Sequence, residues 1–254
     1  MVIIEQNLKE FQPIQGNPEE YFRELKARGE DSFRLPLTWE ALEGREPGLY
    51  NEEYMAILRK FLLEAEKQGI SVMMAPDQDH WCRWTGGNGA PAWTLELAGM
   101  DIDRLNIAVA EQKYAAATLF SLFFGGNTYA PGLKAGEDSI QDRLQEGYIA
   151  AMRHCFRRLK NCRALKGWGI MGGAKPHFIG YSAPGAYLAP AYRPGAAKVS
   201  IFKPGYTDPW KGCQPDHFAL FQGRKADFDK DFFQPFAEKY MARMREVNEG
   251  IEFF

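Results

Sequence analysis

The chain predicts an α/β fold assembled from parallel βα units. Three observations carry this expectation. Strand-like and helix-like segments alternate along the 254 residues. The strand-like segments are apolar almost throughout, as strands covered on both faces are. The helix-like segments begin and end on residues that cap helices.

Val2 to Gln6 reads as a short first strand. Pro18 to Arg28 reads as a helix, with Asn17 as N-cap, Pro18 at the first helical position and Gly29 as its stop. Ser32 to Thr38 is the next strand. Asn51 can cap a long helix from Glu52 to Gln68, whose apolar residues Tyr54, Ile57, Leu58, Phe61, Leu62 and Ala65 keep helical spacing. Gly69 ends it, and Ile70 to Ala75 is an apolar strand in which Met73 and Met74 fill core space. Asp77 to Gly99 has the Gly, Pro and Trp content of a long functional loop. Leu105 to Phe123 suits one buried helix and Ile140 to Leu159 another. Leu165 to Met171 is a strand, and Gly172 to Lys225 is long and rich in Pro and Gly. Asp229 to Val247 closes as a helix, and Gly250 to Phe254 begins a strand.

Up to five strands can be counted, without an internal repeat. An eight-stranded barrel needs eight, each with a helix, in about 250 residues when its loops are short. Here two long loops use the length. The last apolar strand, with no helix after it, would be an exposed edge.

Composition narrows the functions. Hydrophobic residues make up 45% and charged residues 25%, as in ordinary globular chains. A formal net charge of -2 and no basic patch argue against nucleic acid as a partner. Apolar runs such as Ala115 to Phe124 are too short to span a bilayer, so no transmembrane segment is expected. The N-terminus lacks the pattern of a secretory signal, which points to a cytoplasmic location. Cys82, Cys155, Cys162 and Cys213 form no CxxC pair and no zinc spacing, so reduced thiols, no metal and no cofactor are expected. Aromatics at 14%, with six Trp, suit either a site that stacks ligand faces or a large aromatic core.

Several stretches, in order, carry a resemblance. They are Phe33-Arg-Leu-Pro-Leu-Thr-Trp-Glu-Ala-Leu-Glu43 with Gly48-Leu-Tyr-Asn51, and Asp77-Gln-Asp-His-Trp-Cys-Arg-Trp-Thr-Gly-Gly-Asn-Gly-Ala-Pro-Ala-Trp93. Phe123-Phe-Gly-Gly-Asn-Thr-Tyr-Ala-Pro131 follows, then Ile140-Gln-Asp through to Gly167-Trp-Gly-Ile-Met171 and Pro176-His-Phe-Ile-Gly180. Together they resemble glycoside hydrolase family 5, in the branch of endoglycoceramidases and of glucosidases acting on glucosylceramide and steryl glucosides. The resemblance implies a (β/α)8 TIM barrel with its site at the C-terminal strand ends, here truncated to about the first five βα units within a single partial domain, 1–254. It also implies a retaining mechanism with two Glu, an acid/base after the fourth strand and a nucleophile after the seventh. Arg34 matches the family Arg that holds the nucleophile. Gln78, Asp79, Trp81 and Arg83 match a motif at the rim of the site. Trp39, Asp77, Trp93 and His177 complete the candidate substrate-binding set. Indoles suit the apolar face of a sugar, and Asp or Gln suits its hydroxyls.

The departures weigh more. The family's His-Gln-Asp is here Asp77-Gln78-Asp79. Its Asn-Glu-Pro is here Gly172-Gly173-Ala174, so Gly173 stands where the resemblance puts the acid/base. The nucleophile would fall beyond Phe254, and no catalytic residue is assigned. Asp77 and Asp79 do not by themselves supply the carboxylate pair. Asp77 and His80 can form an acid/base pair or a plain loop hydrogen bond. Trp81 and Trp93 can stack a sugar or pack the loop, and His177 can touch a ligand or sit on the rim. His154 reads as structural. Arg153 to Lys160 and the region around Glu64 and Lys67 read as solvated helix faces.

Three functions follow as expectations. The first is a glycosidase-like pseudoenzyme that binds a sugar or glycolipid without cleaving it. The second is an active retaining β-glycosidase completed by another chain. The third is an interaction protein on a relic scaffold. A five-stranded partial barrel would also be expected as a homo-oligomer or with a complementing second-half chain.

Overall fold

The computed structural model describes residues 16–173, 201–209 and 228–254. The expected strand at Val2 to Gln6, Cys213, His177 and most of the long segment after Gly173 lie outside the described residues. The chain gathers into two compact units, interleaved in sequence.

The first unit comprises Met1–Asp77, Ile149–Gly172 and Tyr240–Phe254. Its sheet has four parallel strands in the order β1 (Ser32–Leu37), β2 (Ser71–Pro76), β5 (Leu165–Trp168), β6 (Glu252–Phe253). Arg34 stands opposite Met73, Met73 opposite Gly167, and Gly167 opposite Glu252. A register shift between Val72 and Met73 pairs Val72 with Leu165 and Met73 with Gly167. Lys166 is therefore an extra residue in β5, a bulge.

Helices α1 (Pro18–Ala27) and α3 (Glu52–Lys67) start as expected. The Asn17 side chain accepts from the Glu19 N–H and the Asn51 side chain from the Tyr54 N–H, both at 3.0 Å. Such caps contribute about 1 kcal/mol each. One face of the sheet is packed. Leu35, Val72, Met74 and Trp168 are fully buried there. The Phe22 ring lies 4.6 Å from Phe61, and Phe156 lies 5.2 Å from Trp168. Side chains alternate along a strand, so Arg34 and Met73 point to the other face. There Arg34, Met73 and Phe254 are exposed, and the guanidinium of Arg34 lies 5.1 Å over the Phe254 ring.

The second unit comprises Gln78–Tyr148 and Gly173–Lys239. It holds α4 (Trp93–Leu97), α5 (Ile102–Ile107), α6 (Val109–Tyr129), a two-stranded hairpin of β3 (Lys134–Ala135) and β4 (Asp138–Ser139), and the first turns of α7 (Ile140–Leu159). It also holds a π-helical turn, Asp229–Phe233, and the start of α8 (Gln234–Arg245). From Tyr114 to Gly126 helix α6 is buried on all sides, as its largely apolar run requires. Phe123 is its hub, 4.9 Å from Phe124 and from Phe236 and 6.0 Å from Tyr148. Tyr114 donates to Asp208 at 2.6 Å, and the Asp101 N–H donates to the Ile201 carbonyl at 2.8 Å. These two bonds tie residues 201–209 to the helices.

Three expected elements differ. The single helix over Leu105 to Phe123 is two helices, broken at Ala108 (ψ 62°). The break is accommodated because Gln112 donates to the Leu105 carbonyl at 3.0 Å, replacing a helical bond. The helix over Asp229 to Val247 opens with the π turn. The strand over Leu165 to Met171 stops at Trp168. No helix among the described residues is long and apolar enough to cross a membrane.

Candidate functional site

In parallel α/β sheets, ligands meet the C-terminal ends of the strands. In the first unit those ends are held by the backbone. The Asp77 N–H donates to the Leu37 carbonyl at 2.8 Å, and the Gly172 N–H donates to the Pro76 carbonyl at 3.0 Å. Asp77 and Gly172 thus lie at neighbouring strand ends. A side-chain carbon built on Gly172 would sit 3.5 Å from Oδ1 of Asp77, an ordinary contact. Arg34 lies in the body of β1 instead, on the exposed face of the sheet.

Trp39 does not face a ligand. Thr38 caps the short α2 (Trp39–Leu42), and the indole is fully buried, donating to Oε2 of Glu43 at 2.6 Å. Glu43 is itself buried and accepts from the Gly48 N–H. A buried carboxylate needs such donors. The pair holds the loop before Asn51, a role the sequence did not reveal.

In the second unit the loop after β2 closes on itself. Asp79 and Asn88 exchange backbone hydrogen bonds of 3.0 and 2.8 Å, and the Ala90 N–H donates to the Trp81 carbonyl at 2.7 Å. The turn between them puts His80 (φ 46°) and Trp81 (φ 72°) in the left-handed region. That conformation costs a non-glycine residue roughly 1–2 kcal/mol. Thr85 offsets it by donating to the His80 carbonyl and accepting from the Cys82 N–H at 3.1 Å. Gly87 is required here, since a side-chain carbon would sit 2.0 Å from the Asp79 carbonyl oxygen.

Nδ1 of His80 pairs with Oδ1 of its neighbour Asp79 at 2.9 Å. Of the two expectations for His80, the loop hydrogen bond is therefore visible, with Asp79 as the partner. Trp81 is fully buried, donates to Thr94 at 2.9 Å, and meets the Phe120 ring edge-to-face at 5.1 Å. Trp93 is also buried, at the start of α4. The Trp81 indole packs the loop. Arg83 is exposed, its guanidinium 4.8 Å over the Trp84 ring. Gln78 is 1% exposed, and neither polar atom of its amide has a hydrogen-bond partner among the described residues.

The turn after β5 comes against this loop at Gly173. Its φ is +75°, and a side-chain carbon there would sit 2.5 Å from the Gln78 carbonyl oxygen. The position implied for the acid/base is thus occupied by main chain alone. Arg34, Asp77, Asp79, His80 and Arg83 are the candidate polar groups that reach the surface of their units. No group of three His, Cys, Asp or Glu among the described residues could hold a metal ion. Cys82, Cys155 and Cys162 are buried and outside any disulfide, with Cys82 Sγ 3.2 Å from the Thr85 hydroxyl.

No family profile matches the chain. Relatives do. The chain is 35% identical over 195 residues to a glucosylceramidase of Cryptococcus neoformans, a match spanning 64% of this chain and 26% of that one. It is 35% identical over 182 residues to a glucosylceramidase of Rhizopus delemar, and 33% identical over 175 residues to the ergosteryl-beta-glucosidase of Saccharomyces cerevisiae. The matched stretch is about a quarter of these relatives' length. Among solved structures, Cryptococcus neoformans sterylglucosidase 1 superposes with a TM-score of 0.79 at 22% identity, over 94% of this chain and 48% of that one. Endo-glycoceramidase II from Rhodococcus sp. superposes with a TM-score of 0.56 at 17% identity, over 97% and 46%. The fold is therefore part of an α/β barrel of this kind, spanning about half of those chains. By sequence the chain is similar to about a quarter of fungal glucosylceramidases and of ergosteryl-beta-glucosidase, and by fold to about half of sterylglucosidase 1 and endo-glycoceramidase II.

Proposed function

We propose that the chain binds the sugar of a β-glucoside, such as the headgroup of a glycolipid or steryl glucoside, and does not hydrolyse it. One observation carries the second half. Gly173 stands where the resemblance puts the acid/base, and its backbone turn has no room for a side chain. Retaining hydrolysis needs two carboxyl groups about 5–5.5 Å apart across the bond, one of which protonates the leaving oxygen. That proton transfer is worth about 10²–10⁴-fold, and glycine supplies none of it. Ligand binding is supported by the polar groups of the loop after β2. Asp79 can accept from sugar hydroxyls, and Arg83 can donate.

The test is direct. Purified chain is assayed on p-nitrophenyl β-glucoside and titrated calorimetrically with methyl β-glucoside. Binding without turnover is expected. Turnover abolished by mutating a residue of this chain would overturn the non-catalytic part. Absence of binding would overturn the sugar site and leave an interaction scaffold.

A further inference from the structure

The sheet of the first unit has one packed face and one open face. Strands of parallel sheets are ordinarily covered on both. Here Ser32, Arg34 and Pro36 of β1, Met73 of β2, and Glu252 and Phe254 at β6 are exposed. Side chains alternate along a strand, so these residues share the side away from the buried Leu35, Val72 and Met74. Phe253, between the last two, turns the other way and meets the Tyr240 ring at 6.4 Å.

The centre of the open face is flat and apolar. A side-chain carbon on Gly167 would sit 3.4 Å from both the Met73 sulfur and the Phe254 ring. One on Gly169 would sit 3.4 Å from the same ring. The ring therefore lies across two glycines, with the Arg34 guanidinium 5.1 Å from its centre. Met73 keeps 36% of its surface exposed and Phe254 44%, so both remain available to a partner.

Charge completes the pattern. The register aligns Arg34, Met73, Gly167 and Glu252 in one row across the four strands. The row reads cation, thioether, bare backbone, carboxylate. Neither Arg34 nor Glu252 has an ion-pair partner among the described residues. Lys166 sits in the bulge and Asp77 beyond the end of β2, so neither belongs to the row. Turned over about an axis along the strands, the row faces itself. Strand β1 then lies on β6 of the other copy, and β2 on its β5. Arg34 meets Glu252 twice, once from each side, and Met73 meets the bare backbone at Gly167. A two-fold contact requires such a self-complementary patch. A uniformly basic or acidic partner would match one end of the row and repel the other.

We propose that this face is a homodimer interface, on which a second copy of the chain lies face to face with its strands aligned. It rests on the sheet alone and not on the sugar site. Four strands about 4.8 Å apart and about 20 Å long offer roughly 400 Å² of flat face. Standard interfaces bury about 800 Å² per partner. The dimer is therefore weak and reversible, with a Kd on the order of 10–100 μM.

The test is sedimentation equilibrium of the full chain from about 1 to about 300 μM, a range that brackets this Kd. A monomer–dimer equilibrium is expected. Each substitution counts twice in a two-fold dimer. Arg34→Glu and Glu252→Arg, both at exposed positions, should each weaken the dimer about tenfold with unchanged circular dichroism. Combining them exchanges the two ends of the row and should restore the affinity to within about threefold of the parent. Should Arg34→Glu fail to fold, Glu252→Gln carries the test and should weaken the dimer about threefold. Met73→Asp, at the centre of the face, should remove the dimer. A chain that stays monomeric at about 300 μM would overturn the proposal and leave the face to a different polypeptide. A dimer indifferent to the substitutions at Arg34 and Glu252, or a double variant no tighter than the single ones, would also overturn it. So would association beyond the dimer, because a closed two-fold contact saturates at two copies.

Discussion

The loop after β2 and the turn after β5 both depend on glycine, for opposite reasons. In the loop, Gly87 lets the chain fold back on Asp79 and hold a motif that resembles the family rim. In the turn, Gly173 lets the chain come against the Gln78 carbonyl at the point where the resemblance expects a working carboxyl group. The first glycine permits a loop closure, and the second permits a close approach of two backbone segments. The sequence departs from the resemblance at this turn as well as at Asp77, while the loop after β2 keeps a closed backbone frame.

Substitution should separate the two. Gly87→Ala puts a carbon 2.0 Å from a backbone oxygen that sits in a hydrogen-bonded ladder. Overpacking against backbone costs roughly 1–3 kcal/mol and occasionally more, so a loss of about 3 kcal/mol is expected in urea denaturation. A smaller loss than that of Gly173→Glu would break the comparison. Gly173→Glu meets a contact of 2.5 Å and a left-handed φ, and should cost about 2–3 kcal/mol without creating β-glucosidase activity. Gly173→Ala should cost nearly as much, because the obstacle is the first side-chain carbon. Gly172→Asn should stay within about 0.5 kcal/mol of the parent, since its nearest contacts are 3.4 and 3.5 Å. The two halves of the departed motif would then behave differently, the first open to a side chain and the second shut.

Much of this frame was legible in the sequence, because it is written in local signals. Asn17 with Pro18, and Asn51, mark helix starts through hydrogen bonds spanning two or three residues. The alternation of Phe33, Leu35 and Leu37 with Arg34 and Pro36 fixes which side of β1 is packed. The site was legible as chemistry and much less as geometry. That Gly173 lacks a carboxyl group is visible in the letters, but its φ is set by a contact with Gln78, far away in sequence. Trp81 and Trp93 looked able to stack a sugar. The partners that bury Trp81, such as Phe120, lie on a helix almost 40 residues on. The hairpin after α6 went unread because its strands have two residues each, too few for a period to show.

The frame behind β5 offers a milder test. Trp168 and Tyr240 are both fully buried, and the indole N–H donates to the tyrosine hydroxyl at 2.8 Å. Tyr240→Phe removes the acceptor and keeps the ring, leaving a buried N–H without a partner. A penalty of about 1–2 kcal/mol is expected, read as a lower denaturant midpoint at unchanged slope. A neutral result would mean that the packing behind β5 is looser than the turn in front of it. That would reverse the contrast between an intact frame and an altered site.

The smallest effect should come from the clasp between α3 and α7, where no glycine is involved. Glu52, in the first turn of α3, accepts from Arg158 at 2.8 and 2.9 Å and pairs with Nε2 of His154 at 2.6 Å. The Arg158 hydrogen bond holds the carboxyl below its ordinary range, with His154 adding to the effect and partial burial opposing it. The sign follows from that direction. A carboxylate with a lowered folded pKa stabilises the fold above its unfolded pKa, and the contribution is lost as pH falls through the folded value. The contribution should therefore be constant from pH 7 down to about 5 and fade below about pH 4.5. About half of the Glu52 side chain is exposed, so solvent screening keeps the contribution to a few tenths of a kcal/mol. In a chain of this size that is about 1 °C in Tm. Glu52→Gln should lower Tm by that amount at pH 7 and by progressively less as the pH is taken below about 4.5. A gap that widens toward acid would give the carboxylate the opposite role, and the clasp would no longer belong to the stabilising frame.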